Sequence, residues 1–252
     1  MAIEIFTRKE QKYLITVQQY DALIDQMRLH MRPDKNGQNG YYTVTSLYFD
    51  NADHAIYYET KNKLKFRQKL RLRVYDDATL YNRAFFEIKQ KHKKVVNKRR
   101  MLLPLSEAYR YLKESPITHV DQLESSNPQV FQEIDHFRRL YRLEPEMIIS
   151  YDRHALHGIE DENLRVTFDL NLRCRNYDLN LEHGSYGKHV IDSNLVVLEV
   201  KVDHSVPLWL TRLLQDLQCE QKSASKYCTS FETLQQNDFY RPYQEQAIAG
   251  GI

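Results

Sequence analysis

Only three cysteines, Cys174, Cys219 and Cys228, occur in 252 residues, far apart and without a C-x-x-C pair. That excludes a disulfide framework and a cysteine-built structural zinc site, and leaves buried or incidental thiols. Glycine and proline number seven each and are scattered, so no linker is visible, and residues 1–240 are expected to form one large domain followed by a flexible tail at 241–252. No apolar run reaches 18 residues, and the first six residues are too short and too acidic for a signal peptide. No transmembrane segment is expected, and the chain reads as cytoplasmic. Neither G-x-x-x-x-G-K-[ST] nor G-x-G-x-x-G occurs, so a nucleotide would have to be held by side chains rather than by a glycine-rich loop.

What is present is one strongly polarised stretch. The whole chain carries a formal charge of +2, yet residues 61–100 hold fifteen Lys or Arg against Asp76, Asp77 and Glu87, a net +12, so the remainder sums to −10. The spacing of these charges matters more than their number. Between residues 66 and 75, Arg67, Lys69, Arg71, Arg73 and Tyr75 fall on one parity, and Phe66, Leu70, Leu72 and Val74 on the other, with Gln68 as the break. Period two means a strand with one cationic face. Phe86 and Ile88 then alternate with Glu87, Lys89 and Lys91, and Lys98 shares a parity with Arg100. The apolar parity must be buried against something. If the cationic face is open to water, the stretch is a basic sheet that binds polyanions loosely, nucleic acid included, with affinity falling steeply in salt. If helices cover the apolar outside, the cations turn inward and need a compact polyanion between them, for which a phosphate chain is the commonest biological candidate.

The rest of the chain favours the inward arrangement. Residues 8–15 alternate as a strand with Arg8, Glu10 and Lys12 on one side, and Thr16 with Gln19 forms a capping-box signature before a helix striped by Tyr20, Leu23 and Met27. Tyr41–Asp50, and residues 147–153, 164–169 and 195–201, read as further strands; Tyr151 with Arg153, Arg165 with Asp169, and Glu199 with Lys201 share parities. Helices are expected at 105–113 with Ser106 as N-cap, from Asn127-Pro128 onward, and at 207–217. Residues 222–227 read as a polar turn bracketed by two lysines. Eighteen tyrosines and ten phenylalanines suit a sheet, although they could also stack bases. The expected fold is α+β: a closed antiparallel barrel of about eight strands with a polar, cationic lumen and flanking helices. Its lumen would collect Lys12, Arg71, Arg73, Lys89, Lys98, Arg100, Arg153, Arg165 and Lys201, with Glu10, Glu87, Asp169 and Glu199 as a minority of carboxylates. Such oxygen ligands suit Mg²⁺ or Mn²⁺. His154-x-x-His157 lacks carboxylate support as a metal site.

The ordered set Arg8-Lys9-Glu10-Gln11-Lys12-Tyr13, Ser46-Leu47-Tyr48-Phe49-Asp50, Lys69-Leu70-Arg71-Leu72-Arg73, Phe86-Glu87-Ile88-Lys89, Lys98-Arg99-Arg100, Tyr151-Asp152-Arg153, Arg165-Val166-Thr167-Phe168-Asp169, Leu198-Glu199-Val200-Lys201 and Ser225-Lys226-Tyr227 resembles the catalytic domain of the VTC polyphosphate polymerases, in the CYTH or triphosphate tunnel metalloenzyme superfamily. The resemblance implies transfer of the terminal phosphate of ATP onto a growing polyphosphate chain, with release of ADP, inside a tunnel open at both ends. It implies phosphate contacts from Lys12, Arg71, Arg73, Lys89, Lys98, Arg153 and Lys226, with Arg100, Tyr151, Arg165, Lys201, Lys222 and Ser225 also binding substrate. Glu199, with Glu10 and Glu87, would hold Mn²⁺ or Mg²⁺. Related tunnel phosphatases carry several glutamates in the opening motif, where Glu10 here has only Lys9 and Gln11 beside it. Hydrolysis of inorganic triphosphate, thiamine triphosphate or an RNA 5′ end, cyclisation of ATP, and a non-catalytic polyphosphate-binding module are the alternatives. No specific nucleic acid is expected as a partner, and a homodimer is left open.

Overall fold

The computed structural model describes residues 9–92, 95–113, 125–222 and 225–238. The expected tail at 241–252, Arg8, and the turn residues Lys93 and Lys94 lie outside them. The long strands are β1 (Lys9–Thr16), β3 (Tyr41–Asp50), β4 (Phe66–Tyr75), β5 (Arg83–His92), β6 (Val95–Pro104), β7 (Glu144–Gly158), β8 (Arg165–Arg175) and β10 (Leu195–Val202). They form one antiparallel sheet in the order β1-β10-β8-β7-β3-β4-β5-β6, with the short β2 (Met31–Pro33) beside β7 and β9 (Lys188–His189) beside β8.

Six helices accompany the sheet among the described residues: α1 (Val17–Met27), α2 (Ala55–Lys61), α3 (Leu105–Lys113), α4 (Pro128–Tyr141), α5 (Leu208–Asp216) and α6 (Lys226–Asp238). The Thr16–Gln19 capping box opens α1 as its sequence predicts, and the Asn127 side chain caps α4 by accepting from Val130 N. Ser106 does not cap α3, because Leu105 already lies in the helix and the first free N–H groups are satisfied by Asn82 O and Leu80 O. α3 and α4 return the chain from the edge strand β6 to β7 in the middle of the sheet.

Two apolar clusters cover the outer parities. Leu70, Leu72, Phe86 and Ile88 pack with Tyr111, Phe131, Ile134 and Phe137 of α3 and α4. Ile15, Phe168, Leu198 and Val200 pack with Leu23 and Met27 of α1 and Leu210 of α5. Each fully buried side chain of this size contributes about 1.5–3 kcal/mol, and together they commit the charged parities to the other face.

The sheet is rolled. β1 and β5 are six positions apart on the path, a separation of about 29 Å in a flat sheet, yet Lys89 Nζ lies 3.7 Å from Glu10 Oε2. The closed barrel expected from the sequence is not what the hydrogen bonds draw, since among the described residues no ladder joins β1 to β6. The outer edge of β1 is already engaged: Tyr13 bridges Gln221, and Lys222 N–H donates to Lys12 O at 2.9 Å. A segment just before α6 therefore takes the edge that a closing strand would use.

Candidate functional site

Strand register places the inward side chains in rows. Across β1, β10 and β8, Glu10 faces Lys201, which faces Arg165, while Lys12 faces Glu199, which faces Thr167. Asp169 of β8 faces Arg153 of β7. On the far wall Tyr48, Arg71, Glu87 and Arg100 form one row across β3 to β6, and Lys69, Lys89 and Lys98 another across β4 to β6. Opposite charges placed directly across a ladder stabilise it, and all four carboxylates sit that way.

The contacts chain together. Lys12 Nζ lies 3.1 Å from Glu10 Oε1 and 2.9 Å from Glu199 Oε1, and Lys201 Nζ lies 3.1 Å from Glu199 Oε2. Lys226, the first residue of α6, reaches Glu199 Oε1 at 2.9 Å and Asp169 Oδ2 at 2.6 Å. Arg153 grips Asp169 with both Nε (2.6 Å) and a terminal nitrogen (2.9 Å). Arg71 Nε donates to Glu87 Oε2 at 2.6 Å, and Lys98 pairs with the other oxygen of Glu87. Arg73 donates to Ser46 Oγ at 3.0 Å, and Arg73 and Arg153 both donate to Tyr151 Oη at 3.3 Å, leaving its proton free to point at a ligand.

Charge states follow from this crowding. Burial works against ionised Glu199 and Glu87, but the surrounding Lys and Arg outweigh it and hold both carboxyls well below their usual range. Glu10 is held down to about 2, burial and Glu199 being overcome by Lys12, Lys89 and Lys201. The opposite wall is short of anions: burial pulls Lys69 down to about 8, and burial with Arg71 and Arg73 pulls Lys98 down to about 7 against the pull of Glu87. Burial alone would raise Tyr48, but Arg71 and Arg73 bring it to about 7.

The structure thus gathers Lys12, Arg71, Arg73, Lys89, Lys98, Arg153, Lys201 and Lys226 with Tyr151 on one lining. Arg100 lies over the Phe85 ring at 4.9 Å, and Arg165 is tied to Asp34 (2.8 Å) and Tyr42 (3.0 Å). Lys222 is not gathered with them: its side chain is exposed and only its backbone joins β1. Of the three expected metal ligands, Glu10 and Glu199 converge on one point, the Lys12 ammonium, whereas Glu87 is committed to Arg71 and Lys98. Among the described residues no three His, Cys, Asp or Glu side chains are grouped closely enough to hold a metal ion. Two carboxylates focused on a single cation position nonetheless have the hard-oxygen chemistry that Mg²⁺ or Mn²⁺ takes. Asp169, Ser46, Tyr48 and Lys69 belong to the lining as well. The signal for Ser46, Tyr48 and Lys69 is parity, since Lys69 shares one with Arg71 and Arg73, and Ser46 with Tyr48, while Asp169 is already among the expected carboxylates.

No curated protein matches this chain. Among solved structures it is similar to a protein from Pyrococcus horikoshii OT3 (11% identity, 90% of this chain and 99% of that one, TM-score 0.47). It is also similar to a Vibrio parahaemolyticus protein named as a candidate adenylate cyclase (12% identity, 88% and 97%, TM-score 0.43). The VTC domain profile matches residues 7–235, a span that holds every row of the lining, and the chain belongs to the VTC domain family.

Proposed function

We propose that this chain is a metal-dependent polyphosphate polymerase, an ATP-polyphosphate phosphotransferase working in a tunnel enclosed by the rolled sheet. The observation that carries the reading is the imbalance of the lining. Among the described residues, Lys12, Lys69, Arg71, Arg73, Lys89, Lys98, Arg153, Lys201 and Lys226 face only Glu10, Glu87, Asp169 and Glu199, so a linear polyanion is the ligand that completes the charge. A terminal oxygen of the growing chain attacks the γ-phosphorus of ATP, a new P–O–P bond forms, the bond to the β-phosphate oxygen breaks, and ADP leaves. Such transfer needs positioning and charge stabilisation rather than a protein nucleophile.

Lys12, Arg71, Arg73, Lys89, Lys98, Arg153 and Lys226 hold the phosphates, with Arg100, Arg165 and Lys201 further along the lining and Tyr151 and Ser225 as neutral donors. Glu87 and Asp169 orient Arg71, Lys98, Arg153 and Lys226 through the contacts above. Glu10 and Glu199 would hold Mn²⁺ or Mg²⁺, which would supply Lewis-acid stabilisation of the charge that develops on the leaving group.

Purified protein given γ-labelled ATP and Mn²⁺ should place the label in a long polymer and release ADP. Label recovered only as inorganic phosphate would reject polymerisation in favour of a triphosphatase, and label left wholly in ATP would favour a binding module.

A further inference from the structure

The row Lys69-Lys89-Lys98 differs from the rows described above in having cations only, as does the adjoining Arg67-Lys91 pair. Three lysines face one another across β4, β5 and β6 with no carboxylate between them, although like charges directly opposite destabilise a ladder. Lys89 and Lys98 each reach out of the row to a carboxylate, Glu10 and Glu87. Lys69 has none among the described residues. Its Nζ makes a 2.7 Å hydrogen bond with Ser225 Oγ and lies 5.7 Å from the centre of the Tyr227 ring. The charged and titratable groups around it are Tyr48 from β3, Arg71 on its own strand, Lys89 from β5, Lys12 from β1, and Tyr227 and Cys228 from α6. A half-buried cation without a counter-ion is costly, and among the described residues no carboxylate pairs with it.

We infer that Lys69, with Ser225, is a further phosphate-binding residue that takes a phosphate group of the polyphosphate chain away from the Glu10–Glu199 pair. The inference rests on the polyphosphate reading above and adds a residue and a proton to it. In the ligand-free protein Lys69 is only partly charged near pH 8. An incoming phosphate supplies the missing counter-charge, so Lys69 takes up a proton as the anion binds. A purely structural Lys69, pinning α6 to the sheet through Ser225, would neither contact the anion nor change its protonation when the anion arrives.

Calorimetric titration with inorganic tripolyphosphate, without metal, at pH 8 in buffers of different ionisation enthalpy separates these roles. Wild type should take up about half a proton more than Lys69→Met or Lys69→Gln. Either neutral variant should bind about tenfold more weakly, while Lys69→Arg should stay within about threefold of wild type. Two neutral variants are included so that one poorly folded protein does not decide the outcome. Equal affinity and equal proton uptake in wild type and a folded neutral variant would overturn the role of Lys69 and leave the polymerase reading intact. Failure of wild type to bind tripolyphosphate would overturn both. Binding with the expected proton difference, but with no polymer formed from ATP, would uphold Lys69 and reject the polymerase.

Discussion

Glu199 answers to three ammonium groups, those of Lys12, Lys201 and Lys226, and Glu87 to one guanidinium and one ammonium, yet the two carboxylates predict different phenotypes. In Glu199→Gln, Lys12 keeps Glu10 and Lys226 keeps Asp169, so the fold should persist while turnover falls by on the order of a hundredfold. Steady-state kinetics beside a thermal melt test this, and near-wild-type turnover would contradict it. In Glu87→Gln, Arg71 and Lys98 lose the carboxylate they share, and breaking a buried pair of this kind costs about 3–5 kcal/mol. A denaturant titration should show that loss as a lower midpoint. The pH dependence follows with the sign of a depressed acid. Glu10, Glu87, Asp169 and Glu199 all have folded values below their usual ones. Their stabilisation is complete above the ordinary carboxyl value of 4.5 for Glu and 3.8 for Asp and is lost as pH falls below it. Melting temperature should therefore drop steeply on acidification from pH 5, and a flat profile between pH 5 and pH 3 would contradict the inward pairing.

Among the elements, α6 is the one whose placement most affects the lining, because it delivers Ser225 and Lys226. It is fixed through Asp50 at the end of β3. Asp50 Oδ1 accepts from Ile56 N at 2.9 Å and Oδ2 from Tyr57 N at 2.9 Å, capping the start of α2, and Oδ2 also accepts from Tyr227 Oη at 2.6 Å. Tyr227→Phe should lower stability by about 1.5–3 kcal/mol, the worth of a hydrogen bond to a charged group, and should reduce turnover further by loosening Lys226. A melt and a turnover assay on the same sample check both. Legibility in the sequence varied element by element. β4 could be read because cations and aliphatics alternate with Gln68 as the one break, β5 and β6 because Lys89 with Lys91, and Lys98 with Arg100, share parities, and Tyr41–Asp50 matched its strand residue for residue. β7 runs to fifteen residues rather than seven, because its ends extend past the charged parity that marked it. Only Lys226 and Tyr227 of α6 fall in the polar turn expected at 222–227, and the rest of the helix is not legible because Thr229, Ser230 and Glu232 dilute its stripe. Tyr227, Cys228 and Phe231, with the polar Ser230 among them, bury its inner side.

For the whole molecule, the inward direction of the charge could be inferred from the sequence, because the aliphatic parity had to be covered and amphipathic helices were available to cover it. The closed barrel inferred with it is not drawn by the ladders among the described residues, since the partner of the β1 edge is a backbone segment at Gln221 and Lys222 with no strand pattern. Nor does spacing show that Glu10 joins Glu199 while Glu87 stands with Arg71, since both follow from how far the sheet rolls. Among the described residues no helix is long and apolar enough to cross a membrane. The account depends on mutually repelling side chains that a phosphate chain reconciles, which makes ligand-linked stability its most direct test. Inorganic tripolyphosphate at about a hundred times its dissociation constant should add about 2.7 kcal/mol and raise the melting temperature by about 5–10 °C. Sulfate at matched ionic strength should do far less. An unchanged melting temperature, or an equal rise with sulfate, would contradict a cavity built for a polyphosphate chain.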